Sequence, residues 1–209
     1  NSIFMLKIVN HPVLKRDLTI LRDKNTPHGI FRKLLADASA ILAYEALSHV
    51  TLAEYPVETP LETTTGYRFA QEIIIVPILR AGLGMVDGFV RFVPEARIGH
   101  VGVYRDEVTH HPVEYYLNLP DHLPQADVFI VDPMLATGGS AIWAIHMLKE
   151  KGAKKVHLVS LVAAPEGVQA VEAAHPDVEI IVATLDRVLN ENKYILPGLG
   201  DAGDRIFGT

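Results

Sequence analysis

From Glu72 onward, short apolar runs alternate with helical patterns, and this alternation constrains the fold more than any other feature. The runs are rich in valine and isoleucine, as the buried strands of parallel sheets are. The predicted strands are Ile73–Leu79, Arg97–Tyr104, Val128–Val131, Val156–Val162 and Val178–Ala183. The predicted helices between them are Leu83–Phe92, Gly139–Lys151 and Glu166–Ala174. This order predicts an α/β fold with a doubly wound, mainly parallel sheet flanked by helices.

Two helices are predicted before the sheet. Pro12 occupies a first helical position, and leucines follow it at helical spacing. The second helix is predicted to start at Thr26-Pro27, as N-cap and first helical residue. We expect residues 1–50 to form a helical arm whose apolar surface packs either within the chain or on a partner subunit. Residues 50–70 predict edge strands or a β-arm.

Composition excludes several classes of protein. No apolar run approaches the roughly 20 residues of a membrane span, so we expect no membrane partner. The net charge of −6 argues against a broad nucleic-acid surface. The absence of cysteine excludes disulfides and is compatible with a reducing cytosol, and the first seven residues lack the layout of a signal peptide. We therefore expect a single cytoplasmic domain spanning 1–209, with its α/β core at 72–185.

The segment Val128-Phe-Ile-Val-Asp-Pro-Met-Leu-Ala-Thr-Gly-Gly-Ser140 carries the strongest chemical signal. A buried strand ends at Asp132, and a turn of residues 136–140, here called the glycine turn, opens a helix. Glycines let the backbone approach an anion, and the free N–H groups at a helix N-terminus supply positive potential. An acid just before such a turn suits hydroxyl groups. The pattern predicts a site for a phosphate carried on a sugar.

Two arginines follow other predicted strands. Arg80 opens Arg80-Ala-Gly-Leu-Gly84, and Arg105 begins a polar excursion that could close over a ligand. A surface turn and a solvated hairpin are the plainer interpretations of these segments. His110-His111 suggests a metal site, but adjacent residues of an extended segment point to opposite faces, which argues against one.

The last segment, Tyr194-Ile-Leu-Pro-Gly-Leu-Gly-Asp-Ala-Gly-Asp-Arg-Ile-Phe207, is rich in glycine and anchored by leucine and isoleucine. Such a loop can aim main-chain N–H and C=O groups at a planar ligand such as uracil. A well-packed terminal loop without a ligand is the alternative.

Together these segments resemble the uracil phosphoribosyltransferase family over nearly the whole chain. The motifs are Val76–Gly84, Asp132–Ser140, Ala163-Ala-Pro-Glu-Gly167 and Tyr194–Asp204, in family order and spacing. The C-terminal motif discriminates most, because it belongs to the part that differs among phosphoribosyltransferases. Asp132-Pro133 stands where the wider type I group has two adjacent acids, which is typical of the uracil branch.

The resemblance implies transfer of a 5-phosphoribosyl group from phosphoribosyl diphosphate (PRPP) to uracil, giving UMP and diphosphate, with Mg²⁺ bound through PRPP rather than by a direct metal site. Asp201, Arg105 and Asp132 are implied as catalytic residues, and the segment 186–209, here called the C-terminal segment, as base-binding. The residues implied to bind PRPP are Arg80, Arg105, Asp132, Pro133, Met134, Leu135, Ala136, Thr137, Gly138, Gly139, Ser140 and Asp201. Those implied to bind uracil are Met134, Tyr194, Ile195, Gly200, Asp201 and Ala202.

The resemblance also implies a homodimer or higher oligomer, and GTP as a possible effector. Two alternatives stay open: a phosphoribosyltransferase for another base, and a pyrimidine-sensing RNA-binding regulator on the same fold. The acidic charge argues against the regulator.

Overall fold

The computed structural model describes residues 5–209. Residues 1–4, which bear on the expectation about a signal peptide, lie outside the described residues. The helices are α1 (Pro12–Arg22), α2 (His28–Ala46), α3 (Val86–Val90), α4 (Gly139–Glu150), α5 (Pro165–Ala174) and α6 (Ala202–Phe207). The strands are β1 (Leu6–Ile8), β2 (Leu52–Glu58), β3 (Thr63–Phe69), β4 (Glu72–Leu79), β5 (Arg97–Ile98), β6 (His100–Arg105), β7 (Pro112–Asn118), β8 (Ala126–Val131), β9 (Met134–Leu135), β10 (Lys155–Ala163), β11 (Glu179–Leu185), β12 (Val188–Leu189) and β13 (Ile195–Leu196).

The main sheet has the order β1-β11-β10-β8-β4-β6-β7, with β5 beside β4 and β9 beside β10. All its pairings are parallel except that of β6 with β7. The predicted α/β fold is confirmed. The parallel arrangement brings the carboxyl ends of β4, β8 and β10 to one edge of the sheet.

Helices cover both faces of the sheet. Helices α1, α2, α3 and α6 pack on one face, where Phe31 and Leu35 join Ile75 and Phe129 in one buried cluster. Helices α4 and α5 cover the other face. The helices of the predicted N-terminal arm therefore bury their apolar stripe against the chain's own sheet, and α2 contacts α6 near the C-terminus.

Several boundaries differ from the prediction. Helix α2 begins at His28 with Pro27 as its N-cap, because the Thr26 hydroxyl donates to the Ile20 carbonyl at 2.6 Å and caps nothing. The predicted strand Arg97–Tyr104 is interrupted at Gly99. The predicted helix Leu83–Phe92 is a 3₁₀ turn at Ala81–Met85 followed by α3, which agrees with the low helix propensity of its glycines.

Two hairpins lie outside the main sheet. Within residues 5–209, strands β2 and β3 pair only with each other, as an excursion between α2 and β4. Strands β12 and β13 form the second hairpin, at the carboxyl edge of the sheet. Strand β1 was not predicted, because three residues give no periodicity to detect; it extends the sheet beside β11.

Candidate functional site

A cavity of about 250 Å³ opens at the carboxyl edge of the sheet. Its floor is formed by the residues after β8, and the C-terminal segment forms its opposite wall. All six residues predicted to bind uracil line it: Met134, Tyr194, Ile195, Gly200, Asp201 and Ala202. Asp132, Ala136, Ala81, Gly203 and Lys193 complete the lining. The structure thus brings together segments that are separated by about 60 residues in the chain.

Asp132 lies at the floor of this cavity. Burial raises the pKa of its carboxyl group to about 7, against the smaller opposing effect of a hydrogen bond from the Met134 N–H at 3.3 Å. The residue is held in place because its own N–H donates to the Val159 carbonyl of β10 at 3.1 Å. A carboxyl group in this setting can accept hydrogen bonds from hydroxyl groups of a ligand, which would favour its ionised form.

The glycine turn forms a second cavity, of about 90 Å³, which shares Asp132, Met134 and Ala136 with the first. Thr137, Gly138, Ser140 and Leu135 also line it. Gly138 has φ 86°, in the left-handed region, and precedes α4 as its N-cap. The first N–H groups of a helix have no partner within the helix and favour anions. The small cavity is therefore suited to a phosphate group.

Helix α5 supports the glycine turn from behind. A Cβ atom on Gly167 would overlap the Ala136 carbonyl oxygen, and one on Gly138 would lie 3.0 Å from the Gly167 carbonyl oxygen. The Ala-Pro-Glu-Gly motif thus keeps a glycine where α5 touches the turn. Glu166, in the same motif, accepts a hydrogen bond from the Leu189 N–H at 2.7 Å and so holds the second hairpin.

The two predicted arginines lie outside the first cavity. The Arg80 guanidinium pairs with Asp204 at 3.2 Å and stacks over the Phe207 ring at 5.2 Å, beside Gly203 at the rim. Arg105 lines a neighbouring cleft of about 490 Å³ with His110, and its Nε donates to the His110 carbonyl at 3.2 Å.

Besides the two arginines, Pro133 and Gly139 are predicted to bind PRPP but line neither cavity. Pro133 is buried, and its carbonyl accepts from the Leu161 and Val162 N–H groups at 3.0 and 2.9 Å. The Gly139 N–H donates to the Thr137 hydroxyl at 3.3 Å. His110 has φ 58° in a turn rather than an extended strand, and residues 5–209 contain no cluster of three or more potential metal-binding side chains.

Sequence reasoning missed the residues that hold the C-terminal segment in place. The Asn190 side chain accepts from the N–H groups of Asn192 and Tyr194 at 2.9 and 3.0 Å, which shapes the turn before β13. Asp186 accepts from the Gly198 N–H at 2.9 Å and pairs with Arg22 of α1 at 2.7 Å. An asparagine in a polar turn is a signal that could have been found; the Arg22–Asp186 pair has no local signal.

Comparison with known proteins places these features in one family. The sequence profile described as uracil phosphoribosyltransferase matches residues 8–209. The chain belongs to the uracil phosphoribosyltransferase family. It is 62% identical over 202 residues to a uracil phosphoribosyltransferase of Salinibacter ruber, covering 97% of this chain and 96% of that protein. It is 52% identical over 204 residues to one of Lactiplantibacillus plantarum, covering 97% and 98% respectively.

Two solved structures share the fold of this chain. A protein from Aquifex aeolicus superimposes with a TM-score of 0.93 at 38% identity, covering 98% of both chains. A hypoxanthine-guanine phosphoribosyltransferase from Bacillus anthracis shares the fold alone, with a TM-score of 0.53 at 12% identity over 76% of this chain and 80% of that one. No helix within residues 5–209 is long and apolar enough to cross a membrane.

Proposed function

We propose that this protein transfers the 5-phosphoribosyl group of PRPP to uracil, forming UMP and diphosphate. The observation that carries this proposal is the joining of two cavities through Asp132: one is suited to a phosphate and the other is walled by the C-terminal segment. Two adjoining sites of this kind suit a substrate whose sugar carries a phosphate at one end and receives a base at the other end.

The glycine turn would bind the 5′-phosphate. Its small cavity and the N-terminus of α4 supply N–H groups and the positive end of a helix dipole. The Asp132 carboxylate would accept hydrogen bonds from the ribose hydroxyls. Since Asp132 is shared by both cavities, it sets the ribose between the phosphate and the base.

The C-terminal segment would bind uracil through main-chain groups of Ile195, Gly200 and Ala202. Gly200 lines the cavity and has φ 78°, a conformation that favours glycine. Met134 and Tyr194 line the same space and would contact the faces of the base. Hydrogen bonds to fixed main-chain groups discriminate between bases, because a mismatched base leaves a buried polar group unpaired.

In the reaction, uracil N1 bonds to ribose C1 while the bond from C1 to the diphosphate oxygen breaks. The electron pair leaves with diphosphate, and the N1 proton is lost. The protein's task is to hold the leaving group and to stabilise the charges that develop. Arg80 and Arg105 are proposed to bind the diphosphate, and for this Arg80 would exchange its Asp204 partner for the ligand.

Asp201 is proposed to lie where the base and PRPP meet. In the structure its carboxylate accepts from the Asp204 N–H at 2.9 Å and caps α6, so it also shapes the wall of the cavity. Mg²⁺ is proposed to accompany PRPP. The ion would be bound through PRPP rather than by a direct metal site, and it would supply neutralisation of the diphosphate charge.

A steady-state assay tests the proposal. Purified protein with PRPP and Mg²⁺ is offered uracil, cytosine, hypoxanthine or orotate, and nucleotide formation is followed for each. We expect uracil to be preferred by roughly 10⁴-fold or more, as a site built to hydrogen-bond one edge allows. Preference for a purine would assign the site to another base. A steeply salt-dependent RNA affinity without nucleotide formation would favour the regulator instead.

We also infer a homodimer or higher oligomer in the cytosol, with GTP as a possible effector. The exposed β2–β3 hairpin supports an oligomer, because Leu61 and Tyr67 are 95% and 60% exposed on an element that pairs with no other strand of the described residues. Sedimentation velocity with and without GTP, run beside the assay, measures both properties. A monomer at assay concentrations would contradict the inference.

A further inference from the structure

The turn between β12 and β13 holds a lysine in a conformation that usually requires glycine. Lys193 has φ 67°. The turn is closed by hydrogen bonds from the Lys193 N–H to the Asn190 carbonyl at 3.0 Å and from the Asn190 N–H to the Tyr194 carbonyl at 2.8 Å. The left-handed region is unfavourable for any residue with a Cβ atom, and strain of this kind clusters at functional sites.

Lys193 lies between the two spaces that the proposed reaction would use. It lines the cavity that contains Asp132 and Asp201, and it also lines the cleft that contains Arg105. It does not line the small cavity of the glycine turn. Lys193 therefore lies outside the proposed 5′-phosphate site.

The ammonium group of Lys193 has no ionic partner among the described residues. Three acids, Asp106, Glu107 and Glu191, line the same cleft, yet none of the ion pairs within residues 5–209 includes Lys193. Lys193 is exposed and lines both the cleft and the cavity. A strained backbone thus presents a cation that is available to an anionic ligand.

We propose that Lys193 is a further PRPP-binding residue and that it contacts the diphosphate. This inference rests on the proposed function, which puts the ribose at Asp132 and the diphosphate toward Arg105. An ammonium group can donate charge-assisted hydrogen bonds to phosphate oxygens. Negative charge grows on the diphosphate as its bond to ribose C1 breaks, so the contact strengthens along the reaction.

Four variants test this role. Lys193→Gly and Lys193→Asn remove the charge and suit a left-handed backbone, while Lys193→Arg keeps the charge. Lys154→Asn removes an exposed lysine in the turn before β10, at the opposite edge of the sheet, and is the matched control. Kinetics are measured with PRPP and uracil, with inorganic diphosphate and ribose 5-phosphate as inhibitors competing with PRPP.

For Lys193→Gly and Lys193→Asn we expect the KM for PRPP and the inhibition constant for diphosphate to rise about tenfold, as the loss of one charge-assisted contact predicts. The KM for uracil and inhibition by ribose 5-phosphate should be unchanged. Lys193→Arg and Lys154→Asn should resemble the wild type. The melting temperature of Lys193→Gly should equal or exceed that of the wild type, because glycine relieves the backbone strain, so unfolding cannot account for the kinetic loss.

Two different results would overturn the inference, and they distinguish failure of the Lys193 role from failure of the proposed function. If the wild type forms UMP but Lys193→Gly and Lys193→Asn stay within twofold of it for both PRPP and diphosphate, Lys193 does not bind the diphosphate. If the wild type forms no UMP from uracil, the proposed function fails and this role fails with it.

Discussion

At the scale of single residues, Asp132 lies at the proposed ribose site, and its burial makes the ionised form of its carboxyl group energetically costly. Its pKa of about 7 lies well above the value of about 3.9 for an unfolded chain, because burial disfavours the charged form. The folded protein therefore binds this proton more tightly than the unfolded chain does. The contribution of Asp132 to the free energy of unfolding is most favourable at low pH and is lost as pH rises from about 4 to about 7.

Asp132→Asn should remove the pH dependence that Asp132 contributes to the free energy of unfolding. As the pH rises from 5 to 8, the free energy of unfolding of the variant should increase relative to that of the wild type by up to about 3 kcal/mol. Each unit of difference between the folded and unfolded pKa corresponds to about 1.4 kcal/mol. Water that reaches the carboxyl group through the cavity lessens the effect. Urea unfolding at both pH values measures it, and the same variant should bind PRPP more weakly. If the free energies of unfolding of the two proteins changed equally with pH, that result would contradict the raised pKa of Asp132.

At the scale of secondary-structure elements, the contact of α5 with the glycine turn positions the proposed phosphate site. Gly167 is required there because any side chain would overlap the Ala136 carbonyl oxygen. The N-terminus of α4 and the N-terminal part of α5 thus meet at one turn. The shape of the small cavity depends on how closely these two helices approach.

Gly167→Ala should push α5 away from the turn. Overpacking of this kind costs about 1–3 kcal/mol of stability, and we expect the KM for PRPP to rise at least tenfold with little change in the KM for uracil. Gly29→Ala is the matched control, since a Cβ atom on Gly29 near the start of α2 meets nothing within 4 Å. That variant should be neutral or stabilised by up to about 1 kcal/mol. Equal kinetics for both variants would show that the contact does not shape the site.

At the scale of the whole molecule, the N-terminal helices hold the C-terminal segment. Arg22 of α1 donates to both carboxylate oxygens of Asp186 at 2.7 and 2.8 Å and to the Gly198 carbonyl at 2.9 Å. Burial would raise the pKa of Asp186, but hydrogen bonds from Arg22 and Gly198 and the charge of Arg22 hold it below its ordinary value. Arg205 adds a second link, because it donates to the carbonyls of Asp23 at 2.6 Å and Leu199 at 2.9 Å.

Arg22→Met should leave Asp186 buried without its cation. We expect a loss of about 3 kcal/mol at pH 7, since an unpaired buried charge costs about that much. Because the pairing lowers the pKa of Asp186, its stabilisation is present above the unfolded pKa and is lost as pH falls through the folded pKa. The gap between variant and wild type should therefore narrow in acid.

The same variant should raise the KM for uracil more than that for PRPP, because Gly198 leads into the loop proposed to bind the base. Lys33→Met removes a cation from an exposed pair on α2 and should change stability by less than about 0.5 kcal/mol. Thermal and urea unfolding from about pH 2 to pH 8 measure these changes, because the lowered pKa of Asp186 puts the loss of stabilisation below about pH 4. A constant gap across that range would contradict the role of the pair.

The sequence predicted local elements better than it predicted long-range packing. The core strands β4, β6, β8, β10 and β11 and the helices α1, α4 and α5 were predicted, because apolar periodicity and local turn chemistry are written in adjacent residues. The interruption at Gly99 and the true start of α2 were not predicted, because they depend on contacts made in the folded chain, and β1 was not, because three residues give no periodicity to detect. The Thr26 hydroxyl, for instance, could be an N-cap by sequence but bonds to Ile20 instead.

The sequence by itself determined the class of the fold, the position of the glycine turn after Asp132 and, through its motifs, the family. Those features follow from short-range patterns that survive without knowledge of the rest of the chain. Only the tertiary structure decided that the uracil-binding candidates line one cavity with Asp132, that Arg80 is held by Asp204, and that Lys193 stands between cavity and cleft without an ionic partner among the described residues. Those facts depend on how segments more than 50 residues apart pack together, and chain-local propensities carry no information about such distances.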